Sequence, residues 1–426
     1  MKAPDSATLF AFNVGFGDCF LLRFSYPGGA KRHILIDFGS TRAPAWAGKD
    51  HMLKVAERIK KLCGGKLDIL VATHRHKDHI SGFATAKNGK GTGDIIASLS
   101  PKLVVQPWTE DPNVPVNATG PLKGARAFTS SLASMNEFAS SVQAFADGMT
   151  EATQKVMGFS SHERSFLEFL GENNVANKSA VTNLVNMGKN SKALYLYADK
   201  KVDVTKLLPG VKLHVLGPPT VKQQPEVSEQ AAKNAEEYWH LLETEGDART
   251  AVGDALFPKY AMDSLPPYGR WIKEKLGALR KDMLFSITTA LDDAMNNTSL
   301  ILLFQIGPKS LLFPGDAQWE NWQYALSKSQ YQKLLKSVDL YKVGHHGSLN
   351  ATPKTLWNTF SQKHKTKGKK NRLVSVMSTL HGVHGKSDAT AVPRATLVND
   401  LKEYSDHHST EDVEEIRFVD EITLNL

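Results

Sequence analysis

The run Leu67-Asp68-Ile69-Leu70-Val71-Ala72-Thr73, followed at once by His74-Arg75-His76-Lys77-Asp78-His79, decides how this chain is read. The first seven residues are nearly all apolar and predict a buried strand over Leu67–Thr73. The next six positions hold four metal-capable side chains: His74, His76, Asp78 and His79. Imidazole and carboxylate are suitable ligands for zinc, manganese or iron. A loop leaving a strand can turn all four inward together, which a regular helix or strand cannot do at this spacing. The chain has 15 histidines in 426 residues, so three in six positions argue against a solvated polar loop. Gly82 follows and eases the next turn.

Outward from this point the N-terminal hundred residues read as strands with short connections. Ala7–Asn13, Phe20–Phe24 and His33–Asp37 are apolar or alternating, with glycines at 15, 17, 28 and 29 marking turns. Met52–Cys63 predicts a helix with Leu53, Ala56, Ile59 and Leu62 on one face, ended by Gly64-Gly65. Leu103–Gln106 predicts a further strand. Strand, helix and strand with continuous apolar runs point to an α/β layered core. From Asp111 to Met295 the pattern changes. Ser131–Ala146 and Ala231–Glu245 read as helices and Val211–Leu216 as a strand, so residues 111–295 are expected to form a mostly helical insertion or lid. Strands return at Ser299–Gln305, Ser310–Phe313, Leu340–Val343, Leu373–Ser378, Ile416–Val419 and Glu421–Leu424, with a helix at Thr396–Tyr404. The expected organisation is a core built from residues 1–110 and 296–426 around that insertion.

Composition excludes several classes. Apolar residues are 41% and charged residues 23%, which is ordinary for a globular chain and argues against fibrous or wholly disordered ones. Two cysteines, Cys19 and Cys63, exclude a disulfide scaffold or a cysteine-rich zinc module. No apolar h-region opens the chain, and the longest apolar runs are strand-sized. The expectation is therefore a cytoplasmic protein without a membrane span. A net charge of +8 tolerates a polyanionic partner without demanding one.

The loop His74-Arg75-His76-Lys77-Asp78-His79 resembles the His-x-His-x-Asp-His loop of the metallo-β-lactamase superfamily. Phe313-Pro314-Gly315-Asp316 looks like that family's Gly-Asp, and Lys342-Val343-Gly344-His345-His346-Gly347-Ser348 like its later histidine motif. Asn13–Asp18, Leu35–Gly39, Asn297–Leu300 and His345–Ser348 narrow the resemblance to ComEC-like competence hydrolase domains and to phosphorylcholine esterases of the same superfamily. The resemblance covers about residues 7–108 and 296–426. It implies an αββα sandwich and two divalent metal ions, zinc or manganese. It assigns His74 and His76 to the first metal and Asp78 and His79 to the second. Asp316 would bridge the two, and one of His345 and His346, His345 before His346, would complete the second site. Many members add a further histidine to the first site, and none follows Leu103–Trp108 here. His162 is open as a substitute or as a surface residue.

A two-metal site generates a nucleophilic water and stabilises the charge of the transition state, so Asp78 and Asp316 become the catalytic carboxylates. Asp37 is expected to accept a hydrogen bond from a ligand histidine. Asp18 reads equally as a group bordering the site or a turn residue. His384 is open as a proton donor to a leaving oxygen or as a loop histidine, and Lys342 reads as structural. Lys363–Arg372 reads equally as a phosphate contact near the site or as a solvated loop. Trp319, Trp322 and Tyr324 read as packing against a sheet before base stacking. The implied function is a phosphodiesterase or nuclease acting on nucleic acid or nucleotides. The alternatives are a hydrolase of a small ester, such as a phosphorylcholine ester or a lactone, and a non-catalytic binding module.

Overall fold

The computed structural model describes residues 2–113, 177–220, 222–224, 296–350, 352–383, 391–414 and 418–426. Thirteen strands among these residues form two sheets. The first has the order β13-β1-β2-β3-β4-β5-β6. Its strands are β1 (Ser6–Phe12), β2 (Cys19–Ser25), β3 (Lys31–Phe38), β4 (Ile69–Val71), β5 (Leu103–Pro107), β6 (Ala193–Leu196) and β13 (Val419–Asn425). The second has the order β12-β11-β10-β9-β8-β7. It contains β7 (Val211–Gly217), β8 (Ile301–Ile306), β9 (Lys309–Phe313), β10 (Leu340–Lys342), β11 (Val374–Met377) and β12 (Asp406–Ser409). Strands β3 to β6 pair in parallel, as do β9 to β12, and the remaining pairs are antiparallel.

The strands read as apolar runs because both of their faces are buried. Alternate residues of one strand reach different cores. Leu9 and Ala11 of β1, Phe20 and Leu22 of β2, and Leu302 and Phe304 of β8 meet between the sheets. Phe10 and Phe12 of β1 point the other way, onto α1 (His51–Leu62), α3 (Thr92–Ser98) and α4 (Lys178–Asn190). Ile301 and Leu303 of β8 face α5 (Trp319–Ser327), α6 (Ser329–Lys336), α7 (Lys354–Thr359) and α8 (Ala395–Tyr404). The short helix α2 (Lys77–Ile80) lies in the loop after β4. The chain is thus an α/β protein, with two mixed sheets face to face and helices on both outer surfaces. Trp322 and Tyr324 are buried in the core under α5, the packing role expected for them.

Three expectations change. The apolar face of α1 is His51, Val55, Ala56 and Ile59, while Leu53 is 38% exposed. The stripe that packs is i, i+4, i+5, i+8, and Leu53 lies one step off it. Residues 111–295 are not only an insertion, since α4, β6 and β7 fall within them and each sheet takes an edge strand from them. β6 has four residues in a polar context, too short to carry a periodic signal. The helices expected at Ser131–Ala146 and Ala231–Glu245 lie outside the described residues. At the C-terminus Val419–Asn425 is one continuous strand, paired with the whole of β1, and Val419 opens it rather than closing an earlier one. β12 escapes the sequence reading because Asp406-His407-His408-Ser409 is polar, as suits an edge strand. No helix of the described residues is long and apolar enough to cross a membrane.

Two histidines away from the histidine motif are expected to make the fold acid-sensitive. Burial pushes His33 on β3 down to about 4. Burial, helped by the charges of Lys402 and His408, does the same for His407 on β12. Between the ordinary histidine value of about 6.5 and the folded value, the unfolded chain takes up protons that the folded chain refuses. Stability therefore falls as pH drops through that window. In urea unfolding, His407→Asn is expected to flatten this fall by about 1.4 kcal/mol per pH unit at its steepest. An unchanged slope would assign the acid sensitivity elsewhere.

Candidate metal centre

The motif side chains gather at one rim of the sandwich, where the carboxyl ends of β3 and β4 in the first sheet meet those of β9, β10 and β11 in the second. Ligand sites in open α/β sheets favour such strand ends. After β4 the chain turns at His76 into the four-residue helix α2, which buries Asp78 and His79. The Gly-Asp after β9 buries Asp316, and the turn after β10 buries His346. Close backbone approach allows this convergence. A Cβ on Gly39 would sit 2.5 Å from the carbonyl carbon of Asp78, so only glycine lets the β3 end lie against α2. Gly315 has φ +57, and a Cβ there would meet Thr73 at 2.8 Å.

Ligand-capable atoms of Asp78, His79, Asp316 and His346 all lie within 4.8 Å of one another. His79 Nε2 is 3.0 Å from Asp316 Oδ2 and 3.7 Å from Asp78 Oδ2. His346 Nε2 is 2.8 Å from Asp78 Oδ2 and 3.8 Å from Asp316 Oδ2. Metal bonds of about 2.1 Å place neighbouring ligand atoms about 3.0 Å apart at a right angle and about 3.4 Å apart at the tetrahedral angle. The observed separations bracket those values. Asp78 Oδ1 is buried and makes no hydrogen bond among the described residues, and Asp316 Oδ2 meets only the Nε2 atoms of His79 at 3.0 Å and His346 at 3.8 Å there. Bare buried carboxylate oxygens are costly unless a cation meets them, so these residues fit a metal ion.

Supporting contacts aim the ligands. Asp37 Oδ2 accepts from His79 Nδ1 at 2.8 Å, directing Nε2 toward Asp316. Asp37 also accepts from the amide and the hydroxyl of Thr73, both at 2.7 Å. These bonds hold it at φ 55, in the left-handed region. His346 Nδ1 donates to the Ser378 carbonyl at 2.9 Å, and Phe16 lies against its ring with centroids 4.2 Å apart. Lys342 Nζ is 3.3 Å from Asp316 Oδ1 and 3.1 Å from the Gly315 carbonyl, and it also pairs with Asp18. The His345 amide donates to the same Asp316 oxygen at 3.0 Å. The two oxygens of Asp316 therefore have separate tasks: Oδ1 is held by the protein and Oδ2 faces the ligand cluster.

Charge dominates this rim. Asp18, Asp37, Asp78 and Asp316 are all buried with one buried ammonium, Lys342. With neutral imidazoles the balance is −4 + 1 = −3. Burial alone would push the His79 imidazolium down, but the carboxylates of Asp316, Asp78, Asp18 and Asp37 outweigh it and hold His79 well above the ordinary histidine range. His346 is raised against burial by its bond to Asp78 and by the charges of Asp316, Asp18 and Asp78. Against their own burial, Asp78 is held low by His79 and His346, and Asp316 by His79 and Lys342. His79 Nε2 faces Asp316 and His346 Nε2 faces Asp78, so a proton on either ring would stand where a cation's charge would.

The structure sorts the remaining sequence candidates. His74 and His76 are buried with Nε2 and Nδ1 3.0 Å apart. Neither joins a group of three or more ligand atoms among the described residues. Burial and the neighbouring imidazoles hold His74 well below the ordinary range, as a neutral ring. Of the histidine pair, His346 enters the cluster. The sequence favours His345 slightly over His346, and the structure reverses that preference: His345 Nδ1 faces Ser348 Oγ at 2.9 Å. Both residues are left-handed, His345 at φ 41 and His346 at φ 51, and of the two only His346 joins the cluster among the described residues. Asp18 borders the site through Lys342 and forms a second close group with Asp37 and His79. His384 and His162 lie outside the described residues. The basic run Lys363–Arg372 does not border the site. It leads into the amino end of β11, whereas Ser378 and the metal centre lie beyond the carboxyl end.

The sequence reading missed Lys342 and Ser378 as site residues. For Lys342 a signal existed: a lysine inside the otherwise buried strand β10, four residues before His346, needs a carboxylate partner. Ser378 acts through its carbonyl, which no side-chain motif reveals.

Both ring nitrogens of His79 and of His346 face oxygen acceptors, so binding of zinc or manganese is expected to release protons and affinity to rise with pH. Calorimetry in buffers of different ionisation enthalpy measures both. Asp316→Ala is expected to remove this binding, and Asp37→Ala to weaken it by about 10–100-fold. Undiminished binding by Asp316→Ala would exclude the cluster as the metal centre. The chain matches no protein-family model, and no curated protein matches it.

Proposed function

We propose that the chain is a metal-dependent hydrolase of the metallo-β-lactamase type, acting on phosphodiesters of nucleic acid or nucleotides through a metal-activated water. The observation that carries this reading is the convergence of Asp78, His79, Asp316 and His346, from both sheets, on one buried point whose spacing suits a metal shell. The layered α/β architecture and the order of the motifs along the chain support it. His74 and His76, packed beside His79, would be the residues to hold a second ion, zinc or manganese.

A divalent ion held there supplies a nucleophilic water near neutral pH and positive charge for oxygens that gain charge in the transition state. The protein's own groups do the rest. Asp78 and Asp316 would offer carboxylate oxygens to the ion, and His79 and His346 their Nε2 atoms. Asp37 and the Ser378 carbonyl lock the tautomers of His79 and His346, so that each ring offers Nε2 inward. Lys342 and the His345 amide stop Asp316 from rotating. A cytoplasmic setting accords with two buried free thiols, Cys19 and Cys63.

Purified protein supplied with Mn²⁺ or Zn²⁺ is expected to hydrolyse a chromogenic phosphodiester, and Asp316→Ala to lose at least about a hundredfold of that rate. A metal-loaded protein that turns over no phosphodiester, but opens a lactone or a phosphorylcholine ester, would replace this reading with small-ester hydrolysis. Turnover of neither would leave a binding module.

A further inference from the structure

Residues 361–372, Ser-Gln-Lys-His-Lys-Thr-Lys-Gly-Lys-Lys-Asn-Arg, contain five lysines, one arginine and no acidic residue, a formal charge of +6 with His364 neutral. The loop is held in place rather than trailing. Arg372 is buried at its base. Its guanidinium donates to the His364 carbonyl at 2.6 Å and to the Glu403 carbonyl at 2.8 Å, and pairs with Asp406 at 2.5 Å. The His364 amide donates to the Tyr404 carbonyl at 2.9 Å, and the Leu373 amide to the Gln362 carbonyl at 2.9 Å. Lys363 lies over the Trp357 ring at 4.7 Å. These anchors tie the loop to α7 and the end of α8.

What the clamp leaves outside is charge. Lys365, Lys367, Lys369 and Lys370 are exposed, as is Lys336 of α6, whose carbonyl accepts from the Ser361 amide at 3.0 Å. Lys365 pairs with Glu403 at 2.5 Å. Lys367, Lys369 and Lys370 have no ion pair among the described residues, so like charges are gathered without local compensation. Between Lys365 and Asn371 the other residues are Thr366 and Gly368. With no apolar side chain to enter a bilayer, the surface lacks the anchor that lipid binding favours. Ammonium groups with neighbouring hydroxyl, amide and backbone donors suit phosphate oxygens.

We propose that this clamped lysine loop is a polyanion-binding surface for a nucleic-acid backbone, separate from the metal centre. The two lie at opposite ends of β11. From Leu373 to Ser378 an extended chain spans about 16 Å, a distance that a short nucleotide cannot bridge while a longer strand can. The surface therefore grips the backbone of long ligands without sequence preference and does not act on small phosphodiesters. It stands on the loop's charge and placement, independently of the hydrolase reading.

The test is fluorescence anisotropy of the full chain with labelled 30-nucleotide single-stranded DNA, in chelator, from 50 to 200 mM salt. Binding without metal is expected, with log affinity falling linearly against log salt. The K367Q/K369Q/K370Q variant is expected to bind at least about tenfold more weakly, with the slope reduced by about 2, three contacts at about 0.7 each. Lysine-to-arginine changes at the same positions should retain binding. Equal affinity and slope in the glutamine variant, given an unchanged melting temperature, would overturn the proposal. So would binding to phosphatidylserine vesicles without binding to DNA. Hydrolysis of a chromogenic phosphodiester should be the same in the glutamine variant and the parent, and a loss there would place the loop at the metal centre instead. Chelator-resistant DNA binding by Asp316→Ala separates failure of this proposal from failure of the hydrolase reading.

Discussion

Four buried carboxylates at one rim of the sandwich, Asp18, Asp37, Asp78 and Asp316, set the terms for everything around them. Isolated buried charges are unfavourable by far more than a typical protein's net stability. The fold answers with compensating groups. Lys342 sits between Asp18 and Asp316, His79 between Asp37 and Asp316, and His346 beside Asp78. Each compensating group also fixes a direction, so neutralisation and geometry come from the same contacts. Compensation stays incomplete at the cluster: Asp78 Oδ1 makes no hydrogen bond among the described residues.

The two sheets have to be held in register for this to work. Asp37 and the Thr73–His79 loop hang from the first sheet, Asp316, Lys342 and His346 from the second. The shared core of Phe20, Leu22, Phe304 and Phe313 joins the sheets directly behind the rim. A shift of one residue in a strand would turn its inward set outward, and with it the loop that the strand carries. Glycine serves the same end at the rim itself, where Gly39 lets the β3 loop touch α2. The Asp18 amide donates to the Asp78 carbonyl at 2.9 Å and binds the β1–β2 turn to the same helix.

The opposite rim is organised by the same logic with the sign reversed. Arg372 is buried and satisfied by two carbonyls and Asp406, while the lysines around it are left in solvent. One guanidinium orders a loop of like charge. Placement of this run at the far end of β11 could not be read from its spacing, because a basic stretch between two elements belongs to either end of a sheet until the strand directions are known.

The members of the buried cluster were largely legible in the chain: Asp78, His79 and Asp316 follow recognisable strands, and two-faced apolar runs marked those strands. Asp37 was legible too, as a carboxylate at a strand end near a histidine motif. Less visible were α4, β6 and β12, whose polar or short sequences draw their structure from the sheet edges they complete. The sequence by itself determined which side chains can bind a metal and which segments are extended, because both follow from local composition and period. Only the tertiary structure decided that His346 enters and His345 leaves, that Lys342 is the counter-charge, and that Asp78 meets a residue 268 positions away. Those outcomes depend on backbone turns of left-handed φ and on which strand ends share a rim, and neither is encoded within a single element.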